Sequence, residues 1–233
     1  MRGGVMFDEM LHLLYPRVCA GCHSLLVSEE KGICPECIAT FDAFSDADAA
    51  GCAIQERFGH SCPTGNYPER AWSLYRFHKN DRLQRVIHAM KYEGVHRLGE
   101  VFGMLLAEMI AGSGADNRFG CIVPVPLHRL KVVERTYNQS EIIARSAATI
   151  LRKDVRPDLV IRKKYTRPQA GLSPQERQSN VKDAFVPSGN IVPENILLVD
   201  DVLTTGATAA AVMHALESAG AVNISLATVA LAA

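Results

Sequence analysis

Residues 196–208 read Ile-Leu-Leu-Val-Asp-Asp-Val-Leu-Thr-Thr-Gly-Ala-Thr. An apolar run ends on two adjacent carboxylates, Asp200 and Asp201. A loop then gathers Thr204, Thr205 and Thr208 around Gly206 and Ala207, where a helix begins. Carboxylates accept hydrogen bonds from a sugar diol and offer hard oxygen ligands to Mg²⁺. Backbone N–H groups at a helix start, with hydroxyls beside them, suit a phosphate monoester. Glycine lets the chain turn and approach a ligand closely. Ligands of open α/β sheets gather at the carboxyl ends of strands, where this loop would lie. Alone, an Asp-Asp pair is more often a strand end before a helix capped by Thr205. The ordered run of strand, acids, threonines and glycine favours the sugar-phosphate reading. A Walker-type site is excluded because GxxxxGK[ST] occurs nowhere, and no third partner suggests a phospho-acceptor domain.

Cysteines form the second constellation. Cys19-x2-Cys22 and Cys34-x2-Cys37 are separated by eleven residues. Each pair makes a knuckle, and together they supply four thiolates for a tetrahedral ion, for which structural zinc is the expectation. A closed four-thiolate set leaves no open coordination position, so no catalysis is expected there. The surrounding segment has short apolar runs, and metal would stand in for a core. Gln55 stands three residues after Cys52 and Gly65 three after Cys62, so neither opens a CxxC pair; with His60 nearby a weak second site is the alternative, and two ordinary thiols are the expected reading. Cys121 opens an apolar run and reads as core.

The elements that must position these groups follow from periodicity. Phe7, Met10, Leu11 and Leu14 recur at helical spacing before Pro16, and a loop-rich stretch carrying the cysteines runs to about Pro68. Ala71–Phe77 reads as a strand. Helices follow through Leu83–Met90 and Leu98–Met109, then a strand at Cys121–Val123, a helix over 139–152 and a short strand at Leu159–Ile161. Residues 162–180 are polar and basic, a loop. Ala184–Val186 reads as an edge strand, Ile196–Val199 as a buried strand, Ala207–Ala219 as a helix and Ile224–Leu231 as a last strand. This alternation predicts an α/β fold with a parallel sheet core. Residues 1–68 are expected to form the N-terminal helix and cysteine module, and residues 69–233 the α/β domain.

Of 233 residues, 25 are Lys or Arg and 25 are Asp or Glu, a formal balance of zero. That excludes a generally basic coat but not a local patch. Residues 128–168 hold 11 basic and 4 acidic side chains, whereas 169–233 hold 2 basic and 6 acidic ones. A site for a polyanion with a divalent cation would want both.

Beyond the acidic segment, Val123-Pro124-Val125-Pro126 and Glu134-Arg135-Thr136-Tyr137-Asn138-Gln139 stand in order. Thr166, Gln169, Gly171-Leu172-Ser173, Glu176-Arg177, Asn180-Val181 and Ala184-Phe185 follow them. With Tyr75, Ile87, Lys91-Tyr92 and the cysteine pairs, these residues resemble the ComF family over almost the whole chain. The acidic segment resembles the phosphoribosyl pyrophosphate motif of type I phosphoribosyltransferases. Thr136 stands where the family usually has Gly, and Val133 where a basic residue is common.

The resemblance implies a type I phosphoribosyltransferase-like fold behind a zinc ribbon, binding phosphoribosyl pyrophosphate with Mg²⁺. It implies that Asp200 and Asp201 hold the ribose hydroxyls, and that Thr204, Thr205, Gly206, Ala207 and Thr208 cradle the 5′-phosphate. Arg129, Lys131 or Arg135 would lie near the pyrophosphate. Residues 162–180 would close over the site, with Lys163, Lys164 and Arg167 neutralising the leaving group. The expected reaction is phosphoribosyl transfer to an unknown acceptor. The alternative is a non-catalytic role in DNA uptake, with single-stranded DNA, a nucleotide regulator or competence-machinery proteins as partners. A glutamine-dependent amidotransferase is not expected, since Met1-Arg2-Gly3-Gly4 offers no N-terminal cysteine nucleophile.

The histidines show no HxxxH or HExxH spacing, and His128 is the nearest to the site by its loop. Arg162-Lys163-Lys164 alone is a weak nucleic-acid signal without an aromatic platform. No run of 18 apolar residues occurs. A cytoplasmic location is expected from the reduced cysteine pattern, and the oligomeric state is left open.

Overall fold

The computed structural model describes residues 16–61, 67–163, 184–189 and 191–232. The apolar stripe of residues 5–14, Cys62, and residues 164–180 of the expected loop lie outside these.

Short helix α1 (Pro35–Ala39) carries Cys37, with Cys34 as the residue before its first turn, and α2 (Ala47–Ser61) follows. Next come β1 (Ala71–Phe77), α3 (Arg82–Tyr92), α4 (Arg97–Gly112), β2 (Cys121–Pro124), α5 (Arg129–Arg135), α6 (Gln139–Leu151) and β3 (Asp154–Val155). The chain continues through β4 (Val160–Arg162), β5 (Phe185–Pro187), β6 (Asn195–Leu203), α7 (Ala207–Glu217) and β7 (Asn223–Ala232). Five strands form one sheet in the order β1-β7-β6-β2-β3, and every neighbour is parallel. The predicted parallel core is therefore present. Strand β5 does not edge this sheet: it pairs antiparallel with β4 in a separate ladder that brackets residues 164–183.

Strand β6 is buried on both faces, as its unbroken Ile196–Val199 run requires. Leu197 and Val199 pack with Phe102, Ile143 and Ala147 on one side. Ile196 and Leu198 pack with Val212, Met213 and Leu216 on the other. Helices α6 and α7 thus cover opposite faces. From β2 the chain steps outward to β3, and from β6 it steps the other way to β7. The strand order therefore reverses between β2 and β6, the place where an open parallel sheet leaves a crevice at its carboxyl end.

The stretch from 41 to 61 is not the loop that its short apolar runs suggested. Ala50, Ile54 and Phe58 recur every four residues and, with Phe44 before them, are buried among sheet residues. The small residues between them hide that stripe. The preceding chain joins the free edge of β1, with the Phe44 N–H donating to the Leu74 carbonyl at 3.1 Å.

Candidate functional site

Asp200 and Asp201 sit near the carboxyl end of β6, which extends through both acids to Leu203 instead of stopping at Val199. Their surroundings differ. Asp200 Oδ1 accepts from Ser140 Oγ at 3.0 Å and from the Asp201 N–H at 2.9 Å. Burial and the neighbouring Asp201 charge push its carboxyl up to about 7, against the pull of Lys91 and Ser140. Asp201 Oδ2 is paired instead with Lys91 Nζ at 2.9 Å, both side chains being mostly buried.

Lys91 reaches Asp201 from the last turn of α3. That turn is anchored by the segment 135–139: the Tyr137 hydroxyl donates to the Met90 carbonyl, and Gln139 Nε2 donates to the Lys91 carbonyl at 3.5 Å. Arg135 bonds Gln139 Oε1 at 3.2 Å and the Tyr92 hydroxyl at 3.0 Å, and its guanidinium lies 4.8 Å from the Tyr92 ring centre. Asn138 Nδ2 donates to the Val125 carbonyl at 3.0 Å, tying the start of α6 to the end of β2. The Arg-Thr-Tyr-Asn-Gln run therefore holds a cation over the acids.

Further cations converge there. Burial depresses the Lys131 ammonium, and Arg162, Arg135 and Lys91 press it the same way, while Glu134 opposes them. Arg162 is half-buried and close enough to Asp200 for that carboxylate to favour its charge. Lys91 is thus paired with Asp201 and Arg162 lies near Asp200, and the charges of Lys131 and Arg135 are close enough to theirs to make one positive cluster. Arg129 and Lys163 are exposed. Arg129 opens α5, in a segment the sequence suggested as loop. Lys164 and Arg167 lie outside the described residues. His128 caps α5, its Nδ1 accepting from the Leu130 N–H at 3.2 Å.

The Thr204–Thr208 loop connects β6 to α7. Gly206 has φ +77° and is itself the residue before the helix, with no side-chain cap. Thr205 Oγ1 receives only a 3.4 Å contact from the Ala207 N–H. The left-handed φ favours glycine, and a Cβ there would lie 3.1 Å from the Phe58 ring, a contact that the ring would have to yield to. Thr136 also has a left-handed φ, +65°, which is why glycine would suit the position and a β-branched residue is strained in it.

The four cysteines converge as their spacing predicts. Their Sγ atoms all lie within 4.8 Å of one another, and three of the residues are buried. The Cys22–Cys34 Sγ separation is 3.8 Å, matching the edge of a tetrahedron with metal–sulfur bonds of about 2.3 Å. The N–H groups of Gly21 and Cys34 both lie 3.4 Å from Cys19 Sγ. A Cβ at Gly21 would run to 2.8 Å from Cys37 Sγ. Ser24 draws the Cys22 thiol down to about 6, whereas burial pushes Cys34 up to about 11 and raises Cys37 as well. The four residues can hold a metal ion. The module is docked on the α3–α4 face, where the Arg85 guanidinium donates to the Gly21 carbonyl at 3.0 Å. Cys52 is exposed on α2, and Cys121 is buried core.

Comparison with known proteins agrees with this geometry. Residues 138–233 match the phosphoribosyl transferase domain family. That span holds α6, the acid pair and the threonine loop. The chain is 27% identical to Competence protein F of Haemophilus influenzae over 198 residues, 82% of this chain and 86% of that protein. It is 26% identical to Competence protein ComFC of Streptococcus pneumoniae over 86% of this chain and 88% of that protein. With DNA utilization protein YhgH of Escherichia coli it shares 28% identity over 61% of this chain and 64% of that protein. These proteins are homologues of the chain. Among the described residues no helix is long and apolar enough to cross a membrane.

Several contributors were not expected at the site from the sequence, Arg162 among them. Lys91 and Ser140 touch the acids but were visible only as part of larger motifs. Arg57 and Phe58 come from α2, and no spacing rule links residue 57 to residue 204.

Proposed function

We propose that the chain binds phosphoribosyl pyrophosphate together with Mg²⁺ and transfers the phosphoribosyl group to an acceptor, with release of pyrophosphate. The observation that carries this reading is the acid pair at the carboxyl end of β6, Asp201 buried and Asp200 partly so. It is followed directly by a glycine-turned threonine loop and faced by Lys91 and Arg162, with Lys131 and Arg135 beside them. The loop would hold the 5′-phosphate on its N–H groups. Asp200 and Asp201 would accept from the ribose hydroxyls, with Lys91 shared between Asp201 and the ligand. The cationic cluster would take the pyrophosphate, with Arg129 and Lys163 at its rim.

In the reaction the bond from C1 to the pyrophosphate oxygen breaks, and the electron pair leaves with pyrophosphate. A new bond forms from C1 to the acceptor, which releases its proton to solvent. The cluster stabilises the charge that develops on the leaving group. The two carboxylates are hard oxygen donors, which fits an ion held by one or two carboxylates plus substrate phosphates. Bound Mg²⁺ would supply charge neutralisation. Cys19, Cys22, Cys34 and Cys37 would hold structural Zn²⁺.

A second reading, single-stranded DNA binding in DNA uptake, is favoured by the names of the relatives and by one feature of the surface. Tyr92 is 61% exposed beside Arg135 and the other cations, an aromatic next to a positive track. Calorimetry with phosphoribosyl pyrophosphate and Mg²⁺, with pyrophosphate release measured over a panel of bases and amines, tests the first reading. Absence of binding would overturn it. Oligonucleotide binding that weakens with salt and ignores phosphoribosyl pyrophosphate would support the second.

A further inference from the structure

The phosphate-loop reading assigns ligand contacts to residues 204–208 but leaves open what holds that loop in shape. The answer lies in α2, about 150 residues earlier in the chain. Arg57 Nη1 donates to the Thr204 carbonyl at 3.1 Å, and Arg57 Nη2 donates to the carbonyl of Ala232 at the end of β7. The neighbouring Phe58 is fully buried with its ring under Gly206. One turn of α2 therefore supplies a floor for the glycine and a brace for the residue that begins the loop.

The brace has a directional consequence. The peptide joining Thr204 to Thr205 is planar and trans, so its C=O and N–H point opposite ways. Holding the Thr204 carbonyl on Arg57 aims the Thr205 N–H away from α2. It also places a fixed positive charge behind a loop that would hold an anion. The bond to Ala232 ties the guanidinium to the strand beside β6, so loop and sheet share one anchor. A lysine could serve one of these carbonyls but not both in this forked geometry.

We propose that Arg57 is a positioning residue for the Thr204–Thr208 loop, aiming the Thr205 N–H at a sugar 5′-phosphate by holding the Thr204 carbonyl and the end of β7 together. This rests on the phosphoribosyl reading of the same loop.

The experiment compares full-length parent, Arg57→Gln and Arg57→Lys by calorimetry with two probes. Ribose 5-phosphate reports the loop, and inorganic pyrophosphate with Mg²⁺ reports the cationic cluster. Arg57→Gln should weaken ribose 5-phosphate roughly tenfold or more, the scale of a charge-assisted hydrogen bond. Pyrophosphate binding should stay at the parent value, and Arg57→Lys should fall between. The Thr205 amide resonance should move on adding ribose 5-phosphate to the parent and move less in Arg57→Gln. Should Arg57→Gln fail to fold, the milder Arg57→Lys decides by the same selective loss. Equal ribose 5-phosphate affinity in parent and variants overturns the inference and leaves the loop reading intact. Parallel loss of both probes with a lowered unfolding midpoint also overturns it, as a general structural role. A parent that binds pyrophosphate but not ribose 5-phosphate overturns the loop reading itself, and the inference with it.

Discussion

The two acids look alike in the sequence and should respond in opposite ways to the same change. Asp200 ionises near 7 in the folded chain against an ordinary value of 3.8. Between about pH 4 and pH 7 the folded chain therefore holds a proton that the unfolded chain has released. Stability must fall as pH rises through that window, and the full deficit stands above it. Asparagine removes the charge but keeps an Oδ1 to accept from Ser140 and the Asp201 N–H. Asp200→Asn should then stabilise the ligand-free fold by about 2–4 kcal/mol at pH 8, and by little at pH 4.5. Ligand affinity should move the other way. Loss of a charge-assisted acceptor for a ribose hydroxyl costs about 1.5–3 kcal/mol, about ten- to a hundredfold in Kd.

The assay is urea unfolding of parent and Asp200→Asn at both pH values without added Mg²⁺, paired with phosphoribosyl pyrophosphate calorimetry at pH 8. Taking variant against parent at each pH cancels the titration of groups the two proteins share. A variant no more stable than the parent at pH 8, or one whose gain is the same at both pH values, would refute the argument that Asp200 carries a buried, proton-linked penalty. A stabilised variant that still binds with parent affinity would keep the electrostatics and remove Asp200 from the ligand site.

Asp201→Asn should instead destabilise the fold, by about 1–3 kcal/mol, because Lys91 loses the partner of a mostly buried ion pair; urea unfolding reads this, and a gain in stability would contradict it. Thr136→Gly should raise stability by about 1 kcal/mol, since the left-handed φ of +65° burdens a β-branched residue and not glycine; an unchanged midpoint would show that the strain is relieved elsewhere. Cys34→Ser should abolish tightly held metal, measured by elemental analysis, and lower the unfolding midpoint of the whole chain. Ile33 and Cys37 share one packed cluster with Val86 and Leu98, so the loss should not stay confined to the cysteine segment.

The core strands and helices were legible because each has one dominant period. Strand β6 reads as an unbroken apolar run, as a strand covered on both faces must, and α4 shows Leu98, Phe102 and Leu106 at helical spacing, all buried. Helix α2 was not legible. Its core-facing residues are Ala50, Ile54 and Phe58, and the intervening glycines, alanines and polar residues give little contrast between faces. Helix α5 escaped for a different reason: none of its seven residues is buried, so no apolar stripe marks it. Strand β5 was found at nearly the right residues, but nothing in three residues says which sheet they join.

The site divides along the same line. Asp200, Asp201 and the threonine loop are contiguous, so their chemistry is written in one stretch of sequence. The cations gathered near them come from α3, α5 and β4, and only the fold brings Lys91, Lys131, Arg135 and Arg162 to one place. Long, soluble side chains carry no periodic signature, and any one of them reads as surface until a carboxylate is seen beside it. Arg57 goes a step further, because its partners are backbone carbonyls, which have no residue identity to read. The acidic half of such a site can thus be found from a motif, whereas the groups that set its protonation and the aim of its loop are properties of packing. That is why Asp200 and Asp201, indistinguishable as a dipeptide, should separate in stability as soon as each is changed alone.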